Sequence, residues 1–370
     1  MRYYIIAGEA SGDLHGSNLI KAIKAKDKDA VIQCWGGDLM QAAGGHLVKH
    51  YRSLAFMGLV EVVLNLPTIL KNIQFCKKDI EQFNPDVFIG IDYPGFNLRI
   101  ASWAKEQKYK VIYFIAPQVW AWKENRVPKM RTSIDRLLCI LPFEKKYFKE
   151  RWNWDVDYIG HPLMQVLATQ QSLPHPLPAL QQQKMIALLP GSRKQEIEKM
   201  LPLMLSVVQD FPNEQFAVAQ APGLADDWFA SQISNAPNVH IVKNNTYALL
   251  NHSKAAMVTS GTATLETALL NVPEVVCYKG NPVTLFLAKW FIKIKFIALV
   301  NLIMDKEVVK ELIQENLTPK NLVTALQDLL SNQSKQLQIK IDYATLKDIL
   351  TTGNNASEVA ADIIMEELKK

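Results

Sequence analysis

The sequence predicts an α/β fold of two doubly wound, Rossmann-like domains that face a shared cleft. Its 370 residues suit two domains of ordinary size. Short apolar runs alternate with longer helical patterns, which is typical of a parallel sheet with helices on both faces. The alternation occurs twice, on either side of residues 172–183, where three alternate prolines precede three glutamines. Because prolines so placed exclude a helix or a central strand, we place the domain boundary there.

The expected first domain spans residues 1–170, a linker spans 171–184, and the second domain spans 185–355. Each predicted strand is a short apolar run that precedes a helical pattern. Such runs occur at 3–7, 31–35, 87–91, 111–115 and 137–140, and then at 185–189, 215–219, 239–242, 256–259 and 274–278.

Composition excludes several classes of protein. Hydrophobic residues make up 49% and charged residues 21%, as in globular proteins, which excludes a disordered chain and a coiled coil. With 41 Lys and Arg against 36 Asp and Glu, the net charge of +5 is too small to predict nucleic-acid binding. It suits contact with an anionic surface or anionic substrates. Four scattered cysteines favour a reducing, cytoplasmic compartment, and we expect no targeting segment, membrane-spanning helix, metal or cofactor.

Two loops of the second domain follow strands and lead into helices. Gly191, Ser192 and Arg193 form the first loop, where backbone N–H groups and a guanidinium suit a phosphate. An ordinary helix start is the alternative for this loop. The second loop contains Ser260, Gly261 and Thr262, and one turn later Glu266 could accept hydrogen bonds from vicinal hydroxyls. A capped helix is the alternative there, but the pair of loops together predicts a nucleoside-diphosphate site.

In the first domain, Asp92 ends a predicted strand, where a carboxylate could act as a general base or simply form a turn. The first strand leads into an expected loop over residues 7–16, which lacks the dinucleotide fingerprint because its glycines fall at 8, 12 and 16. Capping is the alternative role for its polar residues. Trp120, in a loop with Trp122, suits either a sugar platform or packing beneath the cleft. The acceptor-side candidates are Glu9, Ser11, Asp13, His15 and Trp120.

Two apolar stretches, 54–70 and 283–295, are candidates for contact with a membrane. In the second, Lys289 and Lys293 share one helical face and Trp290 supplies an interfacial aromatic, as in a basic helix lying on a bilayer. A core position is the alternative for each stretch, with snorkelling lysines in the second. The predicted membrane contacts are Phe56, Met57, Val60, Val63, Phe286, Lys289, Trp290 and Lys293.

Eight motifs, in unbroken order, resemble the lipid-A-disaccharide synthase family. They are GEASGDLHG at 8–16, LAFMGLVEV at 54–62, PDVFIGIDYPGFN at 85–97, QVWAWK at 118–123, LPFEKKYF at 141–148, IGHPL at 159–163, LLPGSR at 188–193 and SGTATLE at 260–266. The resemblance implies the two-Rossmann glycosyltransferase fold called GT-B, with the last helix, 356–370, packed back on the first domain.

The resemblance also implies an activity. UDP-2,3-diacylglucosamine would donate its sugar, with inversion, to 2,3-diacylglucosamine 1-phosphate, which gives a β-1′,6 disaccharide and UDP. Asp92 matches the family's proposed base, Ser192, Arg193 and the 260–262 loop its diphosphate site, and Glu266 its ribose contact.

Asn301 matches an asparagine near the nucleotide, although Val300 and Ala298 replace the family's usual proline and serine. Acylated substrates imply a peripheral protein on the cytoplasmic face of the inner membrane. A GT-B-fold UDP-sugar epimerase and a membrane-binding module without catalysis are the alternatives, and the oligomeric state stays open.

Overall fold

The computed structural model describes residues 1–53, 66–168, 170, 173–222, 224–233, 236–280, 295–351, 353 and 355–370. The chain divides into two compact units. Unit 1 comprises residues 1–162 and 350–370, and unit 2 comprises residues 163–349.

Unit 1 contains a seven-stranded sheet in which every described pairing is parallel, in the order β3-β2-β1-β4-β5-β6-β7. The central strands are buried on both faces, which explains their nearly continuous apolar sequences. The strands are β1 Arg2–Ala7, β2 Val31–Gly36, β3 His46–His50, β4 Val87–Ile91, β5 Lys110–Phe114, β6 Arg136–Cys139 and β7 Asp157–Tyr158.

Helices lie between these strands. They are α1 Ala10–Lys26, α2 Asp38–Ala42, α3 Leu66–Phe83, α4 Pro94–Glu106, α5 Val127–Ser133 and α6 Pro142–Trp152, and α7 Pro162–Ala168 continues into unit 2. Two separate apolar clusters cover the two faces of the sheet, one of them including Trp35, Phe88 and Tyr113 and the other including Ile5, Ile89 and Phe114. Successive residues of each strand therefore point to opposite cores.

Unit 2 repeats this architecture with six parallel strands in the order β10-β9-β8-β11-β12-β13. Its strands are β8 Met185–Leu189, β9 Phe216–Gln220, β10 Val239–Lys243, β11 Ser253–Thr259, β12 Glu274–Tyr278 and β13 Lys310–Ile313. Its helices are α8 Lys194–Leu205, α9 Asp226–Ser231, α10 Thr246–Asn251, α11 Thr262–Leu269, α12 Leu299–Met304, α13 Pro319–Ser331 and α14 Gln333–Leu350.

The last helix, α15 Ala356–Leu368, belongs to unit 1 and packs against α1. Ala360, Ala361 and Ile364 are buried in the cluster on that face of the sheet. An ion pair also joins the two helices, with Asp362 Oδ1 2.6 Å from Lys26 Nζ. The C-terminal residues of the chain thus complete the core of the first unit.

The division between the units falls at residues 162 and 163, ahead of the expected linker at 171–184. Residues that follow α7 are bonded to unit 2. The Asn251 side chain donates to the Gln170 carbonyl at 2.7 Å, and the His252 ring pairs with the Leu173 carbonyl at 3.1 Å. These contacts are non-local, so proline spacing alone could not reveal them.

Each sheet reverses its strand order beside its first strand, between β1 and β4 in unit 1 and between β8 and β11 in unit 2. Ligands of doubly wound folds bind outside the carboxyl ends of the strands at such switch points. The loops at residues 8–9, 92–93, 190–193 and 260–261 lie there. Seven of the candidate residues occur in these loops, namely Glu9, Asp92, Gly191, Ser192, Arg193, Ser260 and Gly261.

Candidate functional site

Asp92 directly follows β4 at the switch point of unit 1. Asp92 and Tyr93 both adopt left-handed backbone conformations, with φ of 42° and 48°. The Asp92 carbonyl accepts hydrogen bonds from Tyr113 Oη at 2.6 Å and Asn97 Nδ2 at 2.9 Å, while its N–H donates to Phe114 O at 3.1 Å. Such backbone strain persists only where the surroundings enforce it. The backbone of Asp92 is therefore held in one conformation at the end of β4.

The Asp92 carboxylate reaches solvent, yet protein atoms crowd around it and displace part of its hydration. This desolvation, together with the negative charge of Glu9, raises the pKa of Asp92 to about 6. A hydrogen bond from the Tyr93 backbone opposes the shift. A carboxylate with a pKa this close to neutrality is a better proton acceptor than an ordinary aspartate, while remaining ionised at pH 7.

The expected loop at residues 7–16 is mostly helix, since α1 begins at Ala10. Glycines explain the difference. A Cβ atom on Gly12 would lie 3.1 Å from the Ala7 Cβ, and one on Gly16 would lie 2.6 Å from the Met40 Sδ. The glycines thus allow close packing of α1, and Ser11, Asp13 and His15 lie in its first turns.

Asp13 is buried and organises a neighbouring helix. Its carboxylate accepts backbone N–H groups of Gly37 at 2.7 Å, Met40 at 3.0 Å and Leu39 at 3.1 Å, at the start of α2. This geometry is the capping alternative considered for the residue. Direct contacts of Glu9, which is half-buried, and exposed Ser11 with an acceptor stay predictions.

His15 and His161 are close enough for their charges to interact, and burial lowers the pKa of both, to about 4 for His15 and about 3 for His161. Both imidazoles are therefore neutral at pH 7. The Nδ1 atom of His15 is buried and has no hydrogen-bond partner among the described residues. A role of His15 toward an acceptor would thus be that of a neutral hydrogen-bonding group.

Trp120 is tied to Glu144, a residue that we did not select from the sequence. Trp120 Nε1 donates to Glu144 Oε1 at 3.0 Å, and its ring packs edge-on against Phe143 at 4.8 Å. Glu144 also accepts the N–H groups of Leu141 and Ile140 and is fully buried, which raises its pKa to about 7. Glu144 lies in the LPFEKKYF motif at 141–148, and membership of that motif is the sequence feature that could have identified it.

In unit 2, Gly191 follows β8 with φ of +114°, a conformation that favours glycine. Arg193 is the N-cap residue of α8 and is half exposed. Its Nη1 lies 3.0 Å from Glu196 Oε1, while the Ser192 N–H donates to Glu196 Oε2 at 3.3 Å. Glu196, from the first turn of the same helix, thus occupies donors that could hold a diphosphate oxygen.

The second loop of unit 2 leaves open space around its glycine. Gly261 has φ of +155°, and a Cβ atom built there would meet nothing within 4 Å. Thr262 begins α11, and Glu266, one turn later, accepts a hydrogen bond from Tyr247 Oη at 3.0 Å. Burial raises the pKa of Glu266. One of its oxygens is thereby bonded, and the other is the candidate acceptor for a ribose hydroxyl.

Asn301 is fully buried and all of its hydrogen-bonding capacity is used. Its Oδ1 accepts the N–H groups of Val308 and Val309, and its Nδ2 donates to Val309 O and to Glu311 Oε1. Glu311 in turn accepts the N–H groups of Ile297 and Ala298.

The Ile297 carbonyl accepts the Ser260 hydroxyl at 3.3 Å, so Asn301 positions the segment beside the second loop. Glu311 is a further residue that we did not select, since β13 had not been predicted. A direct contact of Asn301 with the nucleotide stays a prediction.

The eight predicted membrane contacts lie at 56–63 and 286–293, outside the described residues. Of the helices that the structure describes, none combines the length and hydropathy of a membrane span. Within the described ranges, no three His, Cys, Asp or Glu side chains come together as a metal site.

Solved structures of nucleotide-sugar enzymes resemble the whole chain. The UDP-GlcNAc 2-epimerase of Neisseria meningitidis, bound to UDP-GlcNAc, has a TM-score of 0.64 and 13% identity, and the match covers 100% of both chains. The calicheamicin glycosyltransferase has a TM-score of 0.62 and 16% identity over 100% of this chain and 98% of its own. At such identities the likeness shows the fold alone, which is that of the GT-B class, as predicted.

Sequence comparison defines the family within this class. A model of the lipid-A-disaccharide synthetase family matches residues 3–365. The lipid-A-disaccharide synthase of Gluconobacter oxydans is 38% identical over 378 residues, which cover 98% of this chain and 89% of the relative. The chain belongs to the lipid-A-disaccharide synthetase family, and the resemblance seen in its motifs is confirmed.

Proposed function

We propose that the protein is a hexosyltransferase that forms the lipid A disaccharide precursor. Its donor is UDP-2,3-diacylglucosamine and its acceptor is 2,3-diacylglucosamine 1-phosphate, which become joined by a β-1′,6 linkage. Family membership over residues 3–365 carries this proposal. The conformation and raised pKa of Asp92 support it, because an inverting transfer needs one well-placed base.

We assign the donor to unit 2. The diphosphate is bound by the backbone N–H groups of Gly191 and Ser192 and by the Arg193 guanidinium. The N–H groups of Gly261 and Thr262 are further donors, whereas that of Ser260 donates to Cys277 O. Backbone N–H groups and a guanidinium at the ends of two strands suit a diphosphate, which carries two negative charges in the donor and gains a third as UDP leaves. The Arg193 guanidinium is now paired with the Glu196 carboxylate. This ion pair must break before Arg193 can bind the diphosphate. Glu266 accepts hydrogen bonds from the ribose.

We assign the acceptor to unit 1, where Asp92 removes the proton of the 6-hydroxyl. The resulting nucleophilic oxygen attacks the anomeric carbon of the donor sugar. As that bond forms, the bond from the anomeric carbon to the diphosphate oxygen breaks, and UDP leaves with the electron pair. A single displacement inverts the anomeric centre. The proton passes from Asp92 to solvent after each turnover.

Acylated substrates reside in a bilayer, so the enzyme must approach one. We propose peripheral binding to the cytoplasmic face of the inner membrane through the two apolar stretches, 54–70 and 283–295. Lysines of the second stretch, Lys289 and Lys293, would contact anionic headgroups, each contributing about 1 kcal/mol.

The decisive experiment is a transfer assay with radiolabelled UDP-2,3-diacylglucosamine, with and without the acceptor. We expect disaccharide and UDP only when both substrates are present. Conversion of the donor alone would instead indicate an epimerase. Solved UDP-sugar epimerases share the fold of this chain, but that likeness gives no support to an epimerase activity. Vesicle binding without UDP release, unaffected by Asp92→Asn and Arg193→Ala, would indicate a binding module.

A further inference from the structure

An exposed aromatic side chain with two cations lies in the loop that follows β5. Trp122 is 49% exposed, with Lys123 Nζ 4.1 Å and Arg126 Cζ 5.9 Å from its ring centroid. We call these three residues the Trp122 cluster. Trp120, two residues earlier, is tied instead to Glu144. The two tryptophans of the loop therefore differ, one serving local packing and the other facing solvent.

The positive charges of Lys123 and Arg126 are not neutralised by a neighbouring carboxylate within the described ranges. Lys123 has φ of 58°, a left-handed conformation, and begins a 3-10 turn that ends at Arg126. The carboxylate of that turn, Glu124, is engaged with α6, since it accepts Tyr147 Oη at 2.9 Å and Arg151 Nε at 2.8 Å. In the described part of the chain, neither Lys123 nor Arg126 forms an ion pair.

Bringing two cations onto one ring carries an electrostatic cost. Desolvation, and then the positive charge of Arg126, lower the pKa of Lys123. The cation–π contacts offset part of this cost, and a bound anion would offset more. A doubly charged phosphate monoester matches two neighbouring cations better than a carboxylate does.

The cluster emerges at the same sheet edge as Asp92. β4 and β5 are paired with Ile91 opposite Phe114, and the Asp92 N–H donates to Phe114 O. Tyr113 Oη donates to the Asp92 carbonyl, and the charge of Arg126 acts on Tyr113. The charge of Arg126 thus acts on the residue whose hydroxyl holds the backbone of the base.

We infer that Lys123 and Arg126 bind the 1-phosphate of the acceptor, with Trp122 holding the two cations in place. This inference rests on the proposed function, in which the acceptor is a sugar 1-phosphate that reacts through its 6-hydroxyl. In this acceptor the phosphate is attached to C1 and the reacting hydroxyl to C6, so the two groups occupy separate positions on either side of the ring oxygen. A phosphate site near Asp92 but separate from it therefore orients the hydroxyl toward the base.

The test compares two acceptors in neutral detergent micelles, namely 2,3-diacylglucosamine 1-phosphate and the same molecule without its phosphate. For the double variant Lys123→Gln/Arg126→Gln, we expect KM for the phosphorylated acceptor to rise at least 10-fold. KM for the dephosphorylated acceptor and for the donor should stay within 2-fold of wild type. Lys129→Gln, an exposed cation on α5, is the matched control and should change none of these constants.

Equal losses with both acceptors, or no change with either, would overturn the inference. So would a defect that appears only with vesicles containing phosphatidylglycerol, because that result assigns the cations to bilayer headgroups. Absence of disaccharide formation by the wild-type protein would instead refute the proposed function. Unchanged thermal unfolding of the double variant confirms that it is folded.

Discussion

Asp92 is the residue of the first unit that we propose as the general base. Its carboxylate is desolvated and lies beside Glu9, while its backbone is held by Tyr113 and Asn97. Asp92→Asn preserves size and removes basicity, so we expect kcat to fall by about 100-fold or more while UDP binding is retained. Steady-state kinetics and calorimetric titration with UDP test this. Retention of more than a tenth of the wild-type rate would refute the assignment of the base.

The pH dependence of the reaction should report the same residue. Because the pKa of Asp92 is raised to about 6, the carboxylate is protonated below that pH and cannot accept a proton. We therefore expect kcat/KM to fall as the pH decreases through about 6. An acidic limb near pH 4, the ordinary value for aspartate, would show that the crowding and the Glu9 charge do not affect the working enzyme.

Arg193 should act on the donor alone. Replacing it with alanine removes a guanidinium that can grip two diphosphate oxygens, so we expect donor KM to rise by about 10- to 100-fold. Acceptor KM should not change. Lys199→Ala, an exposed cation of the same helix, is the control. If both variants raised donor KM equally, the effect would be one of general charge and not of the loop.

At the level of elements, a buried carboxylate joins two helices of unit 1. Asp13 on α1 accepts three backbone N–H groups at the start of α2. Asp13→Ala leaves the N–H groups of Gly37 and Met40 buried without partners, at a cost of about 3 kcal/mol. We expect the Tm of unit 1 to fall by several degrees, as measured by calorimetry, whereas exposed Asp29→Ala should leave it unchanged. An unchanged Tm would contradict the capping role.

The start of α1 shows why one element differs from its prediction. The segment over residues 7–16 follows β1 and is predicted as a loop, and its glycines at 8, 12 and 16 have low intrinsic helix propensity. In the folded chain the same absence of side chains lets α1 pack against Ala7 and Met40. Tertiary packing outweighs local propensity here. The short strands β3 and β13 were not predicted because they are brief and only partly buried.

For the whole molecule, one buried acid couples stability to pH. Glu274 begins β12 in the core of unit 2, and both its carboxylate oxygens are unpartnered among the described residues. Burial raises the pKa of Glu274 well above its ordinary value of 4.5. Above pH 4.5 the folded state binds more protons than the unfolded state, so this residue lowers stability as the pH rises through its folded pKa.

Glu274→Gln removes that ionisation. We expect the variant to unfold at a higher temperature than wild type at pH 8. The difference in Tm should shrink toward pH 4, where Glu274 is mostly protonated in both the folded and the unfolded state. Glu315→Gln, an exposed replacement of the same kind, should show no such trend. A difference in Tm that is equal at every pH would rule out the proton linkage.

By itself the sequence determined most of the strands, the GT-B class, the family and the positions of the loops at 92–93, 191–193 and 260–261. Those features depend on local patterns, namely apolar runs and short motifs, which can be recognised without knowing which distant residues are in contact. Only the tertiary structure decided that Glu144 holds Trp120 and that Glu311 and Asn301 position residues 297–298. Each of these roles joins residues far apart in the chain, and only burial makes their hydrogen bonds and apolar contacts strong enough to matter.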